Sequence, residues 1–458
     1  MLVSCGKKKN PSEVRYEVVD GKIVEVSGEP TPALPDNFDS FSAAPESAES
    51  DFFAPGELAP SVVTDGTAVS FPDEAYNSIS SADSVKIESL KKQFESAAAA
   101  CRDVYAAADK GNTLNVTLSE YAVQQMVQAL GSAGFSAVDS NGNCTMSNPQ
   151  PFIDFGEDIV FGQNLSATYY VVYTDGHMSL FHLYREAKQW HLISMSMAWN
   201  DDLSIRIYSE GRYAIGKVEY TNKGWLIYNR NTSDFDENQK ANTDPYTMVR
   251  VQPYDEICRE LCRKYIEPVG YLENNLYISN WNEADFSAID FNSVYSYIFQ
   301  ISNGTSEMLS SYNVRNYYKS FQKSRLYLVP SNFFEENTLK RFNIDIYTLR
   351  SIADYDPSED AYYYLGYNKD YFNVTPRTPF PEVVSYVQNT DTTITMTVDA
   401  VNPWYGTDRA FEHVVTVRPQ GDGGYKYVSN YLVESENNIL PDQKLSEMRE
   451  VEKSLLAE

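Results

Sequence analysis

Residues 10–83 carry fifteen acidic side chains against two basic ones, with seven prolines between Pro30 and Pro72 in the company of Ser, Ala, Thr and Gly. A stretch of that composition buries too little apolar surface to offset the entropy of ordering it. It reads as a disordered, self-repelling tether, about 45–50 Å in r.m.s. span as a flexible coil. One short piece departs from this: Val14–Val26 alternates around Asp20-Gly21, the pattern of a local hairpin. The core must therefore come from the rest of the chain. With 458 residues, 42 % of them apolar and 14 % aromatic, there is material for a sizeable one. At ~100–200 residues per domain the length predicts two or three domains. A net charge of −27 argues against a nucleic-acid partner, since duplex binding needs a basic footprint. No apolar run reaches the ~18 residues of a transmembrane helix.

After the tether the hydrophobic period is helical. Leu90, Phe94, Ala97, Cys101, Val104 and Ala108 recur at spacings of three and four, and Ser119–Leu130 reads as a second helix ending at Gly131 and Gly134. Beyond Ile159 the period becomes two, predicting strands 167–174, 178–186, 191–199, 203–209, 213–221 and 224–229, with turns at Asp175-Gly176, Asn200-Asp201, Gly211 and Asn222–Gly224. A polar loop, Thr232–Asp244, precedes a helix over Tyr254–Ile266, and another is expected at Asp290–Phe299. Residues 302–325 carry no clear period. The order then repeats: a helix capped by Ser331 and running to Phe342, a helix from Asp345 through Ala353, and strands 361–367, 382–388, 392–401, 412–418 and 425–432. The expected fold class is α+β, as two modules that each place helices before an antiparallel sheet, the helices of the first packed on one face of a curved sheet. By analogy only, that order resembles NTF2-like or cystatin-like folds. The expected organisation is 1–9, a lipid-attachment motif with a basic cluster; 10–83, the tether; 84–266 and 267–440, α+β domains; and 441–458, a C-terminal helix or tail.

The first nine residues carry the sharpest motif. Leu2-Val3-Ser4-Cys5 resembles the lipobox of bacterial lipoproteins, with an aliphatic residue at −3, a small one at −1 and the cysteine whose thiol takes the lipid. The charged and apolar leader of such precursors would stand upstream of Met1. Two acyl chains on Cys5 would anchor the chain, and Lys7–Lys9 would add about 1 kcal/mol each on anionic lipid. The C-terminal runs Pro381-Glu-Val-Val-Ser, Thr395-Met-Thr-Val-Asp, Phe411-Glu-His-Val-Val-Thr-Val-Arg-Pro and Tyr427-Val-Ser-Asn resemble a domain of unknown function of Gram-positive lipoproteins, over about the last eighty residues. That resemblance implies a lipid-anchored protein on the extracytoplasmic face of the cell membrane and no particular activity.

The sequence is poor in the usual catalytic constellations. No P-loop, GxGxxG after a strand, GxSxG or HExxH occurs, so no catalytic residue, cofactor or metal site is assigned. Cys101, Cys144, Cys258 and Cys262 read as buried or merely reduced thiols, and His177, His182 and His191 as ordinary sheet residues. The expectation is a binding or interaction module at the cell envelope, not an enzyme, for a glycan or an envelope protein. Its candidate aromatics are Trp281, in Ser-Asn-Trp-Asn-Glu, and Trp404 with Tyr405, in Asn-Pro-Trp-Tyr-Gly. Such rings also close the ends of sheets, and exposure separates the two roles. The alternative is a glycan-active envelope hydrolase with paired carboxylates, drawn from Glu335-Glu336, Glu283 with Asp285, or Asp354 with Asp356.

Overall fold

A period-two run can form strands only if each finds a neighbour, and among the described residues the pairing pattern builds three larger sheets and one hairpin. The computed structural model describes residues 15–19, 22–26, 81–111, 115–140, 145–159, 165–186, 188–230, 246–304, 315–316, 326–365 and 378–456. Cys5, Lys7–Lys9, Cys144, the Thr232–Asp244 loop, most of 302–325 and the remainder of the expected tether lie outside these residues. Within the tether, the expected pairing forms: β1 (Arg15–Val19) pairs antiparallel with β2 (Lys22–Val26), with Val19 opposite Lys22. The chain divides into two compact bodies. One comprises 53–254 with Pro403–Gly406; the other comprises 1–52, Asp255–Asn402 and Thr407–Glu458.

In the first body, α1 (Ser81–Ala107) buries Leu90, Phe94, Ala97, Cys101 and Tyr105 along one stripe. The helix α2 (Glu120–Ser132) starts where the Ser119 side chain accepts the Ala122 N–H. Next come β3 (Ser136–Asp139), α3 (Gln150–Asp158), β4 (Ser166–Val172), β5 (Met178–Glu186), β6 (Gln189–Trp199), β7 (Ile205–Tyr220), β8 (Trp225–Arg230) and β9 (Tyr246–Arg250). They form one seven-stranded sheet in chain order. The β3–β4 pair is parallel and the other pairs are antiparallel, because the crossover through α3 returns the chain in the same direction. Alternation then gives the sheet two apolar faces. Met178, Leu180, Ile193 and Met195 pack with α1 and α2, while Phe181, Leu183 and Leu192 pack with Phe152 and Phe155 of α3. Gly156 lets α3 lie close, since a Cβ there would come within 2.4 Å of the Tyr220 ring.

Two expectations need correction in this body. Helices were expected on one face of the sheet and occupy both. The strands expected at 203–209 and 213–221 are one strand, because Gly211 continues the ladder opposite Ser194 and makes no turn.

The second body opens with α4 (Glu256–Leu261), capped by the Asp255 carboxylate on the Cys258 N–H and ending in a widened turn where the Glu267 N–H reaches the Cys262 carbonyl. A boundary at Tyr254/Asp255 gives this helix to the second body, whereas the expected division at 266/267 left it with the first. There follow β10 (Trp281–Asn282), α5 (Phe291–Asn303), β11 (Arg315–Asn316), β12 (Leu326–Pro330), α6 (Ser331–Arg341), α7 (Ile346–Ile352), β13 (Tyr355–Asp356), β14 (Ala361–Leu365), β15 (Phe380–Gln388), β16 (Ile394–Asn402), β17 (Thr407–Pro419), β18 (Tyr425–Leu432) and α8 (Leu445–Leu456). The strands make a five-stranded sheet, β10-β18-β17-β16-β15, and a separate four-stranded one, β11-β12-β14-β13. The strand at 361–365 thus belongs to a different sheet from the four that follow it, contrary to the single sheet expected. Asp345 caps α7 as anticipated, but Ser331 lies inside α6, whose cap position is Pro330.

The C-terminal helix is fastened to this body. Leu445 packs with Leu326 and Leu365, and the buried Arg449 reaches Asp290 at 2.9 Å and Asp354 at 3.2 Å, where Lys453 adds a contact of 2.6 Å to Asp354. Removing one partner of a buried ion pair strands the others without a counter-charge. Arg449→Ala is therefore expected to cost about 3–5 kcal/mol. Denaturant unfolding measures this, and a loss under about 1 kcal/mol would show the pair to be unimportant.

Candidate functional site

The expected binding aromatics separate by burial. Trp281 is 2 % exposed, donates its indole N–H to the Leu276 carbonyl at 2.7 Å and packs against Phe286 and Phe342. It closes the β10 end of the sheet, so its assignment as a binding residue is withdrawn. Trp404 is half-buried and Tyr405 is 44 % exposed, on the turn that joins β16 to β17. Gly406 at φ 57° ends that turn, and a Cβ there would meet the Tyr246 ring at 2.6 Å.

None of the proposed carboxylate pairs is arranged as an acid and a base. Glu335 is buried against Arg350 at 2.6 Å and the Tyr362 hydroxyl at 3.1 Å, while Glu336 pairs with Lys340 on the surface. Glu283 takes both guanidinium nitrogens of Arg418, at 2.6 and 3.0 Å, while Asp285 caps Ser287. Asp354 is held by Arg449 and Lys453, while Asp356 accepts hydrogen bonds from Ser358 and Tyr363. The Ser287 and Ser358 side chains hold the Asp285 and Asp356 carboxyls below their ordinary range, opposite to what a general acid requires.

The histidines and cysteines are structural in their surroundings. His182 and His191 stack on either side of Tyr184, with ring centroids 5.5 and 5.1 Å away. Burial, reinforced by Lys86, pushes His182 down to about 4. Cys101, Cys258 and Cys262 are buried and free. Among the described residues no group of His, Cys, Asp or Glu is arranged to hold a metal ion. His413, which the sequence reading did not single out, lies fully buried in a polar relay. Its Nδ1 meets the Asn430 Oδ1 at 2.7 Å, its Nε2 meets the Tyr271 hydroxyl at 2.9 Å, and Asn430 Nδ2 donates to the Ser279 carbonyl at 2.8 Å. With the Asn amide oriented by Ser279, Nδ1 carries the proton and Nε2 accepts from the phenol, so a neutral ring satisfies every partner.

A concave feature among the described residues belongs to the first body. A cleft of about 430 Å³ opens between α1 and β7, with Lys91 and Glu95 on the helix and Ile205, Ile207, Tyr208 and Glu210 on the strand. A β-bulge shapes it. Met197 pairs with Ile207 and Ser196 with Ser209, so Tyr208 is the extra residue of β7. Bulges re-aim side chains, and here the phenol of Tyr208 is left 49 % exposed beside the His177 ring, 5.4 Å between centroids. Lys91 bonds Glu210 at 3.1 Å, and that hydrogen bond raises the lysine above its ordinary value. Asp175 faces His177 at 2.9 Å; burial would raise its carboxyl, but the hydrogen bonds from the His177 ring and backbone hold it low. An exposed ring beside two isoleucines and an ion pair suits a ligand with one flat face and polar edges. The volume falls in the ~300–1,000 Å³ range of small-ligand pockets. Sequence reading had no signal for this cleft, because a bulge leaves no mark in the alternation.

A family model described as a family of unknown function, DUF6070, matches residues 87–445. The chain belongs to this family. DUF6070 thus spans both folded bodies, a far longer match than the C-terminal resemblance of about eighty residues implied, and it includes the α1–β7 cleft. Neither the curated proteins nor the solved structures yield a match.

The His413 relay makes a pH prediction. Burial pushes the ring down to about 3, against ~6.5 in an unfolded chain. Between those values the unfolded chain takes up a proton that the folded one refuses, so stability falls as pH drops below about 6.5, by about 1.4 kcal/mol per pH unit for this group. Urea unfolding of wild type and His413→Gln from pH 7 to pH 4 should show the variant losing this part of the slope. Identical slopes would mean that His413 is not buried neutral.

Proposed function

We propose that this protein is a binding module of the cell envelope, lipid-anchored through Cys5, that takes a glycan or peptide segment in the α1–β7 cleft. The observation that carries the binding half is the bulge-presented Tyr208, which lines the cleft together with Ile205, Ile207 and the Lys91–Glu210 ion pair. An amphipathic ring of this kind offers large contact area at low ordering cost, which makes tyrosine a frequent centre of binding energy. Half-exposed Tyr405 is a second, separate aromatic candidate. The anchoring half is supported by Leu2-Val3-Ser4-Cys5 and the acidic, Pro-rich stretch behind it, the arrangement of a Gram-positive lipoprotein. The NTF2-like and cystatin-like analogies supply a precedent for helix-over-sheet clefts and no chemistry.

Calorimetric titration with soluble cell-wall oligosaccharides and stem peptides tests the cleft. Tyr208→Ala should weaken binding about tenfold or more, as loss of ~1.4 kcal/mol implies. No binding by the wild type, or equal binding by the variant, contradicts the reading, and steady release of reducing ends would transfer it to the hydrolase. For the anchor, Cys5→Ala in the full-length precursor should move the protein out of the membrane fraction. Unchanged membrane association contradicts it.

A further inference from the structure

The β16 strand is paired on both edges, to β15 and to β17, so a strand that approaches it has to lie over one of its faces. The hairpin strand β1 makes such an approach within the second body. One face of the sheet is already occupied. His413 and Phe411 meet Tyr271, His413 stacks on Tyr277 at 5.1 Å, and Tyr427 meets Phe342 at 5.5 Å. The register places Glu382 opposite Asp399 and Asp399 opposite Glu412, so these three carboxylates form one rung on the other face. Thr397 lies two residues along from Asp399 on that face, and Thr395 and Thr416 hydrogen-bond across it at 3.0 Å.

This polar face is not open to solvent. Glu382 is 3 %, Asp399 0 % and Glu412 6 % exposed. Glu412 Oε2 meets Arg409 at 3.3 Å, but its Oε1 is buried with no hydrogen-bond partner. A buried carboxylate oxygen in that state costs free energy unless a donor is brought to it. An isolated two-stranded hairpin is itself marginal in water and needs a surface to lie on. The β1–β2 register puts Tyr16, Val18, Ile23 and Glu25 at positions of one hairpin face, and the more heavily charged set Arg15, Glu17 and Lys22 on the other with Val19, Val24 and Val26. The first set is the more apolar and includes a phenol donor.

We propose that the hairpin is a clasp: its Tyr16–Val18–Ile23 face lies on the Glu382–Asp399–Glu412 rung and covers the polar face of β15–β16–β17. The clasp shortens the leash. Ten residues separate Cys5 from Arg15, an r.m.s. span of about 16–19 Å as a flexible coil, against about 45–50 Å if all of 10–83 were free. The clasp stands without lipid attachment; only the leash length rests on the anchor reading.

Hydrogen exchange on the full chain carrying Cys5→Ser tests it in solution, so a failed anchor leaves the outcome unaffected. The β1–β2 amides should be protected, and Tyr16→Asp with Ile23→Asp should speed their exchange at least tenfold while the β16–β17 ladder stays protected. A hairpin already unprotected in the parent chain, or equally protected in the variant, overturns the clasp. A second variant tests the seat. Thr397→Arg should release the hairpin with the sheet still folded, because the face becomes solvent-exposed once the clasp lifts. Unfolding of the sheet, or an undisturbed hairpin, would place the hairpin elsewhere.

Discussion

Burying a phenol without a hydrogen-bond partner, as at Tyr170, costs free energy, and the phenols that do find partners organise much of this protein. In the second body the Tyr277 and Tyr427 hydroxyls both donate to the Tyr265 carbonyl, at 2.8 and 3.0 Å, and Tyr271 closes the His413 relay. In the first, Tyr169 and Tyr228 bond across the sheet at 2.6 Å. Because an unmade bond in the interior costs ~1–3 kcal/mol, a slip of strand register is penalised twice, once through packing and again through the phenols. Burial raises the phenols of Tyr271, Tyr277 and Tyr427 well above their ordinary value, so they remain neutral donors throughout the physiological range.

The same economy separates scaffold from site. Charged groups inside the folded bodies are mostly engaged: Arg449 with two aspartates, Arg418 with Glu283, Arg350 with Glu335. Each of these carboxylates is committed to a guanidinium partner. Tyr208 is exposed where a bulge interrupts the ladder, and Tyr405 on the turn that joins β16 to β17. Both are departures from regular structure, and binding residues are commonly found in such places.

Much of the architecture was legible in the residues. The Leu90–Phe94–Cys101 stripe, the Asp345 cap and the pairing of Arg15–Val19 with Lys22–Val26 all appear where local patterning put them, since each depends on neighbours a few residues away. The five strands expected in the second half lie within a few residues of where they were read except β17, which starts five residues earlier at Thr407, while β10, β11, β12 and β13 were not expected. The crossover β3–α3–β4 was missed because Ser-Ala-Val-Asp is too short to show a period and its partner lies some thirty residues on. Gly211 was misread as a turn because glycine signals equally a turn or a pause within a long bent strand. His413 gave no sign, because a histidine in Glu-His-Val-Val is silent about Asn430 and Tyr271, its partners across the fold. Trp281 misled for the converse reason: a polar sequence context does not make a ring exposed.

The central claim is that the bulge on β7 presents a binding surface, and backbone amide shifts read it residue by residue. On titration with soluble cell-wall fragments, the account predicts the largest changes over Ile205–Glu210 and around Lys91 and Glu95, saturating together. Shifts confined to other parts of the chain, or none at fragment concentrations in the millimolar range, would contradict it.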